Sequence, residues 1–189
     1  MRVEDFEFEY LRASLLNMPR PIVLYCKYVD YVSEKVGRLA MYSVFLMIAT
    51  LTVNAFTRNI INYPISWGVE LAQFTLAAYY FLGGPYSMQL GDPVRMDLIY
   101  DRCSDLLKAK IDLFTSFFLV FYLVVLLIGS ISSTAYAIQY DQRKFSEWNP
   151  SMIPIKLIMV FGIVLMILQS FSIFFKDLAK VQGKEINIK

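Results

Sequence analysis

The chain has 189 residues, 57% hydrophobic and 16% aromatic, with a formal net charge of +2 and no histidine. Soluble domains are nearer about 45–50% apolar, and the excess here falls in four runs, Leu39–Thr57, Trp67–Leu90, Leu113–Ser130 and Leu157–Phe175. What remains is too fragmented for a soluble catalytic domain, and the missing histidines remove bis-histidine haem sites, imidazole proton relays and most metal centres.

Residues 1–20 mix acids with aromatics, as in Glu4, Asp5, Phe6, Glu7, Phe8 and Tyr10. This acidic opening lacks the basic-then-apolar order of a cleaved leader, so the first span is expected to be retained. From Ile22 the pattern turns helical. Ile22, Tyr25, Cys26, Val29, Val32 and Val36 recur at steps of mostly three and four, and Lys27, Asp30, Glu34 and Arg38 line the other face. That predicts an amphipathic helix over 21–36, lying along the membrane interface. The alternative is packing against the ends of the spans.

Runs of about 18–24 residues suffice to cross a ~30 Å hydrocarbon core. The expected architecture is therefore an all-α integral membrane protein with four transmembrane helices, over about 37–58, 66–91, 106–140 and 154–176. These lie within a membrane domain of 37–178, and residues 179–189 form a tail. Lys and Arg placement orients it. Arg20, Lys27, Lys35, Arg38, Arg95, Arg102, Lys108, Lys110, Lys176, Lys180, Lys184 and Lys189 fall on one side, against Arg58, Arg143, Lys144 and Lys156 on the other. The bias puts both termini in the cytoplasm. Cys26 and Cys103 then also face the cytoplasm, where a structural disulfide is not expected, and their spacing fits no metal motif.

The first span is bland apart from Asn54. The second contains Glu70, the acid of the four apolar runs. A carboxylate at membrane depth is costly and by default marks a site with a partner. Pro64 and Ser66, however, predict a helix start just before it, where the helix dipole favours an anion. Both readings stand: a structural acid at the interface, or an acid paired with another chain. Glu70, Gln73, Ala77, Tyr80, Gly84, Ser87 and Gly91 form a small and polar stripe at steps of three and four. Such a face marks close helix packing in lipid, either within the bundle or on another subunit. Gly83-Gly84-Pro85 predicts a kink.

In the following loop Asp92, Arg95, Asp97 and Arg102 are candidate polar contacts. The third apolar helix pattern runs from Leu106 to about Tyr140, long enough to tilt or protrude. The loop Asp141–Ile153 leads to Pro154, a good first helical residue. The fourth span carries Gln169, Ser170 and Ser172. Spans one and two do not resemble three and four, so the inverted repeat of a self-contained transporter is absent. There is no nucleotide-binding glycine loop, no Ser-His-Asp set, no metal or cofactor site and no nucleic-acid patch, and the chain is not expected to be an enzyme.

The segment from Asn62 to Arg102 resembles the small membrane subunit, of the DctQ type, of tripartite ATP-independent periplasmic (TRAP) transporters. The likeness is carried by Asn62, Pro64, Ile65, Ser66, Trp67, Glu70, Leu82, Gly83, Gly91, Val94 and Asp97, with Leu168-Gln169 further on. Gln73 stands where an arginine is common in that family, and Pro93, beside Asp92, replaces a histidine. The resemblance implies four spans with cytoplasmic termini in a bacterial or archaeal inner membrane. It also implies two partners, a large membrane subunit and a periplasmic solute-binding protein, with sodium-driven uptake of a carboxylate-type solute. The chain would be a non-catalytic scaffold. Trp67, Glu70, Gln73, Tyr80, Gly84 and Ser87 would meet the large subunit. A competing class is a small homo-oligomeric transporter with Glu70 as its coupling acid.

Overall fold

The computed structural model describes residues 20–62, 65–90 and 105–186. The acidic opening, Gly91–Ser104 and the last three residues lie outside them. Four long helices account for nearly all of the described chain: α1 (Arg20–Phe56), α2 (Ser66–Gln89), α3 (Asp105–Gln139) and α4 (Ile153–Ile186). Among the described residues three stretches are long and apolar enough to cross a membrane, Pro21–Ile61, Phe114–Gln139 and Ile153–Leu178. Helix α2 falls short on composition, because Glu70, Gln73, Gln89 and its glycines and tyrosines dilute its apolar content.

The amphipathic segment and the first span are one helix. Helix α1 runs 37 residues without a break, or roughly 55 Å at 1.5 Å per residue. Nothing between Arg20 and Phe56 stops it. Gly37, the residue at which a hinge was conceivable, is instead buried against Tyr86 of α2, and a Cβ there would lie 2.4 Å from Tyr86 Cβ. The helix closes with a π-helical turn over Thr57–Ile61. Asn62 then adopts a left-handed conformation (φ 55°) and its N–H bonds the Thr57 carbonyl, a common helix stop.

Small residues set the helix seams. Cys26, Val29, Ser33, Gly37 and Ala40 form the buried face of α1. On α3 the buried positions Ser116, Leu123, Ser130 and Ala137 repeat every seven residues, with Thr134 between the last two. A heptad of mostly small side chains lets two backbones approach closely, and in lipid that approach is itself the source of stability. Helix α3 packs chiefly on α4, while α1, α2 and α4 all touch one another. Helix α4 is therefore the hub. Its buried face carries Gly162, Ile163, Leu165, Gln169, Ser170 and Ser172. The rest of α3 presents large apolar side chains outward, among them Phe114, Phe117, Phe121, Val125 and Ile128, as a lipid-facing helix does.

Candidate functional site

Helix α2 is bounded by local chemistry. Ile65 is extended, Ser66 opens the helix, and Leu90 ends it with its N–H on the Tyr86 carbonyl at 3.1 Å. Pro85 lies inside the helix and is fully buried. Proline has no N–H, so the Phe81 carbonyl four residues earlier loses its usual donor.

The stripe expected along α2 divides between two surfaces. Glu70 is buried within the chain, and its Oε2 has no hydrogen-bond partner among the described residues. Gly84 faces Met166 of α4, whose Sδ would be 2.8 Å from an added Cβ. Those two positions are turned to the protein's own bundle. Gln73, Tyr80 and Ser87 are exposed, Tyr80 by 66%. They share their side of the helix with Val69 and Leu76, also exposed, and with Gly83, over which no atom lies within 4 Å. Trp67 is exposed at the helix start and borders an apolar hollow with Thr50, Val53, Asn54 and Gly68. The loop positions Asp92, Arg95, Asp97 and Arg102 lie outside the described residues.

Residues 140–152 lie beside the first turns of α2. Lys144 Nζ donates to Gln73 Oε1 at 2.6 Å, and Ser66 Oγ bonds the Glu147 carboxylate. Lys156, at the start of α4, secures the loop from behind, donating to Gln142 Oε1 at 2.7 Å and to the Ser133 carbonyl at 3.1 Å.

A second polar constellation, at the opposite end of the bundle, joins α1 to α4. Asp30 Oδ2 pairs with Lys176 Nζ at 2.6 Å. Gln169 Nε2 donates to Asp30 Oδ1 at 2.9 Å, Ser172 Oγ donates to the same oxygen at 3.3 Å, and Ser33 Oγ donates to Gln169 Oε1 at 2.8 Å. Ser33, Gln169 and Ser172 are completely buried. Tyr25 adds a hydrogen bond from its hydroxyl to the Leu168 carbonyl at 3.0 Å. The helical pattern placed Asp30 on the solvated face of the amphipathic segment; the structure corrects this. The packed face is rotated toward Cys26, Ser33 and Gly37, and Asp30 borders it. Serine and glutamine spaced at three and four residues on α4 were the available signal.

These features describe a membrane-type bundle with two clamped ends and one unpartnered face on α2. No catalytic constellation accompanies them among the described residues. The family model described as "Tripartite ATP-independent periplasmic transporters, DctQ component" matches residues 47–180. A comparison with curated proteins finds no match.

Proposed function

The chain belongs to the DctQ component family of tripartite ATP-independent periplasmic transporters, and from that membership we propose that it is the non-catalytic scaffold of a three-part solute importer. In this reading all four helices cross the inner membrane, with both termini in the cytoplasm. Helix α2 does so despite its polarity because its polar groups are covered, Glu70 by the bundle and the face around Gln73 and Tyr80 by the large membrane subunit. The periplasmic binding protein docks at the end of the bundle that carries the π-helical turn. The large subunit moves the solute, a carboxylate, with a sodium gradient.

One observation carries the partner assignment: the exposed side of α2 sets Gln73, Ser87, the Tyr80 hydroxyl and an open glycine among its apolar residues, where α1 and α3 expose mainly large apolar side chains. Gln73, Tyr80, Ser87 and the open space over Gly83 suit a protein neighbour that approaches closely and offers hydrogen bonds. Lipid offers neither. For that contact Val69, Gln73, Leu76, Tyr80, Gly83 and Ser87 are the residues whose exposure supports the reading, whereas Glu70 and Gly84 of the expected stripe face the chain's own bundle.

The test is copurification with a large membrane subunit of the same transporter family. Gly83→Leu adds bulk on the proposed contact at a position where an added Cβ meets no atom within 4 Å among the described residues. It is expected to reduce recovery of the partner while the isolated chain keeps its melting temperature. Full recovery with Gly83→Leu and with Tyr80→Ala would remove this face from the interface. Solute uptake by the chain alone in proteoliposomes, lost on Glu70→Gln, would replace the scaffold reading with a self-contained transporter.

A further inference from the structure

The loop between α3 and α4 ends in an apolar side chain with no neighbour. Phe145 is fully exposed, yet its loop is built rather than slack. The Gln142 N–H bonds the Ala137 carbonyl at 3.0 Å, Lys144 N–H bonds Pro150 O at 3.1 Å, and Met152 N–H bonds Gln142 O at 3.0 Å. Two further bonds, Ser146 N–H to Lys144 O at 3.0 Å and Asn149 N–H to Ser146 O at 3.1 Å, close the tip. The chain reverses through left-handed conformations at Asp141 (φ 43°) and Asn149 (φ 47°), residue types that adopt them at low cost. The ribbon thus satisfies much of its backbone internally, as a segment must where water is scarce.

Its height on the bundle follows from side-chain contacts. Glu147 meets Ser66 and Lys144 meets Gln73, and Trp148 lines a hollow with Phe74, Thr75 and Ile158. The tip therefore lies alongside the first two turns of α2 and does not rise above them. Helix α1 runs antiparallel to α2 at this end, with Gly68 packed on Asn54. Past Asn54, α1 still exposes Phe56, Ile60 and Ile61. The last of these is seven residues beyond Asn54, whereas Ser66 is only two residues from Gly68. The outward apolar surface of α1 thus extends past the level of the loop tip.

We infer that residues 140–152 form an anchor in the interfacial layer of the lipid bilayer, with Phe145 inserted at the boundary between headgroups and acyl chains. Trp67, Tyr136, Tyr140 and Trp148 are exposed at the same end of the bundle, the amphipathic aromatic girdle that this layer favours. The charges of the loop fit the same depth. Arg143 pairs with Asp141 at 3.0 Å, and Lys144 and Glu147 are held by α2. Bulk water would leave the Phe145 ring solvated, and the hydrocarbon centre would strand the charges. The layer between them accepts both.

The inference rests on the proposed embedding of the helices, and its test separates the two. The full chain, with Trp67→Phe and Trp148→Phe to silence its own tryptophans, is reconstituted in phosphatidylcholine vesicles with bromine at shallow or deep acyl positions. A reporter at Phe145→Trp is expected to be quenched most by shallow bromines and shielded from aqueous iodide. A second reporter at Phe121→Trp, in the middle of α3, is expected to be quenched most by deep bromines. Failure at 121 overturns the embedding itself. Deep quenching at 121 with iodide-sensitive, bromine-insensitive fluorescence at 145 overturns the anchor alone. So does shielding at 145 that arises only when a solute-binding protein is added, which makes the tip a protein-docking surface.

Discussion

Gly162 lies against the carbonyl oxygen of Phe81, so closely that a Cβ at position 162 would fall 2.5 Å from it. That carbonyl is the one Pro85 deprives of its helical donor. A proline in α2 and a glycine in α4, 77 residues apart in sequence, thus act at one crossing. The proline opens the backbone of α2 and the glycine lets α4 come up to it.

Gly162→Ala should therefore force α2 and α4 apart. Overpacking of this kind costs about 1–3 kcal/mol. Gly83→Ala, on the open side of α2, should change stability by less than roughly 0.5 kcal/mol, as expected of a surface site. Thermal unfolding in detergent, followed by circular dichroism, checks both. Equal loss in the two variants would contradict the crossing geometry.

Asp30→Ala should destabilise the chain markedly. It leaves Lys176 Nζ and Gln169 Nε2 without their acceptor, and a buried donor left unsatisfied costs about 1–3 kcal/mol. The two charged side chains retain about a fifth of their exposure, 23% and 21%, so solvent screening trims the charge contribution. The double variant Asp30→Leu with Lys176→Met should recover part of the loss, because removing both members of a pair strands neither. A double-mutant cycle on denaturation midpoints measures the coupling.

Lys144 and Lys156 should differ in their hold on the loop. Lys144 reaches an exposed glutamine, and Lys144→Met should cost under about 1 kcal/mol. Lys156 is half-buried between Gln142 and the Ser133 carbonyl, and Lys156→Met removes both of these bonds at once. Hydrogen exchange across 141–152 should accelerate strongly in the second variant and slightly in the first.

The proposed orientation predicts that a reporter active only in the cytoplasm works when fused after Lys189. Arg58→Cys should react with an impermeant thiol reagent from the periplasmic side. Activity of a periplasm-specific reporter at the C-terminus would invert the topology.

Helix positions were legible in the sequence because apolar runs and punctuation agree. Pro64 and Ser66 mark the start of α2, whereas the stop of α1 at Asn62 became visible only in the structure. Facing was not legible to the same degree. Glu70, Gln73 and Gly84 share a helical stripe, yet only Gln73 faces outward. Gly83 and Gly84 are neighbours about 100° apart around the helix, one over open space and one under Met166. Which of two small residues meets a neighbour depends on how α4 crosses, and no periodicity within α2 encodes that. Asp30 was misplaced for the same reason. Its partners Gln169, Ser172 and Lys176 lie on another helix, and a charge among lysines and glutamates looks solvated until that helix is present. The sequence also offers no break between residues 36 and 37, so the absence of a boundary there could have been anticipated.

The position of α4 as hub has a consequence for synthesis. Every side-chain partner of Asp30 among the described residues lies 139 to 146 residues further along the chain. At about 5–20 residues per second, a ribosome takes roughly 7–30 s to supply them. During that interval the carboxylate and Ser33 lack the α4 side chains that bond them in the finished protein. With the helices embedded as proposed, the three earlier ones would have to await the last before this polar cluster could close. Truncation before α4 should then yield a protein that is inserted but degraded, not a smaller stable bundle.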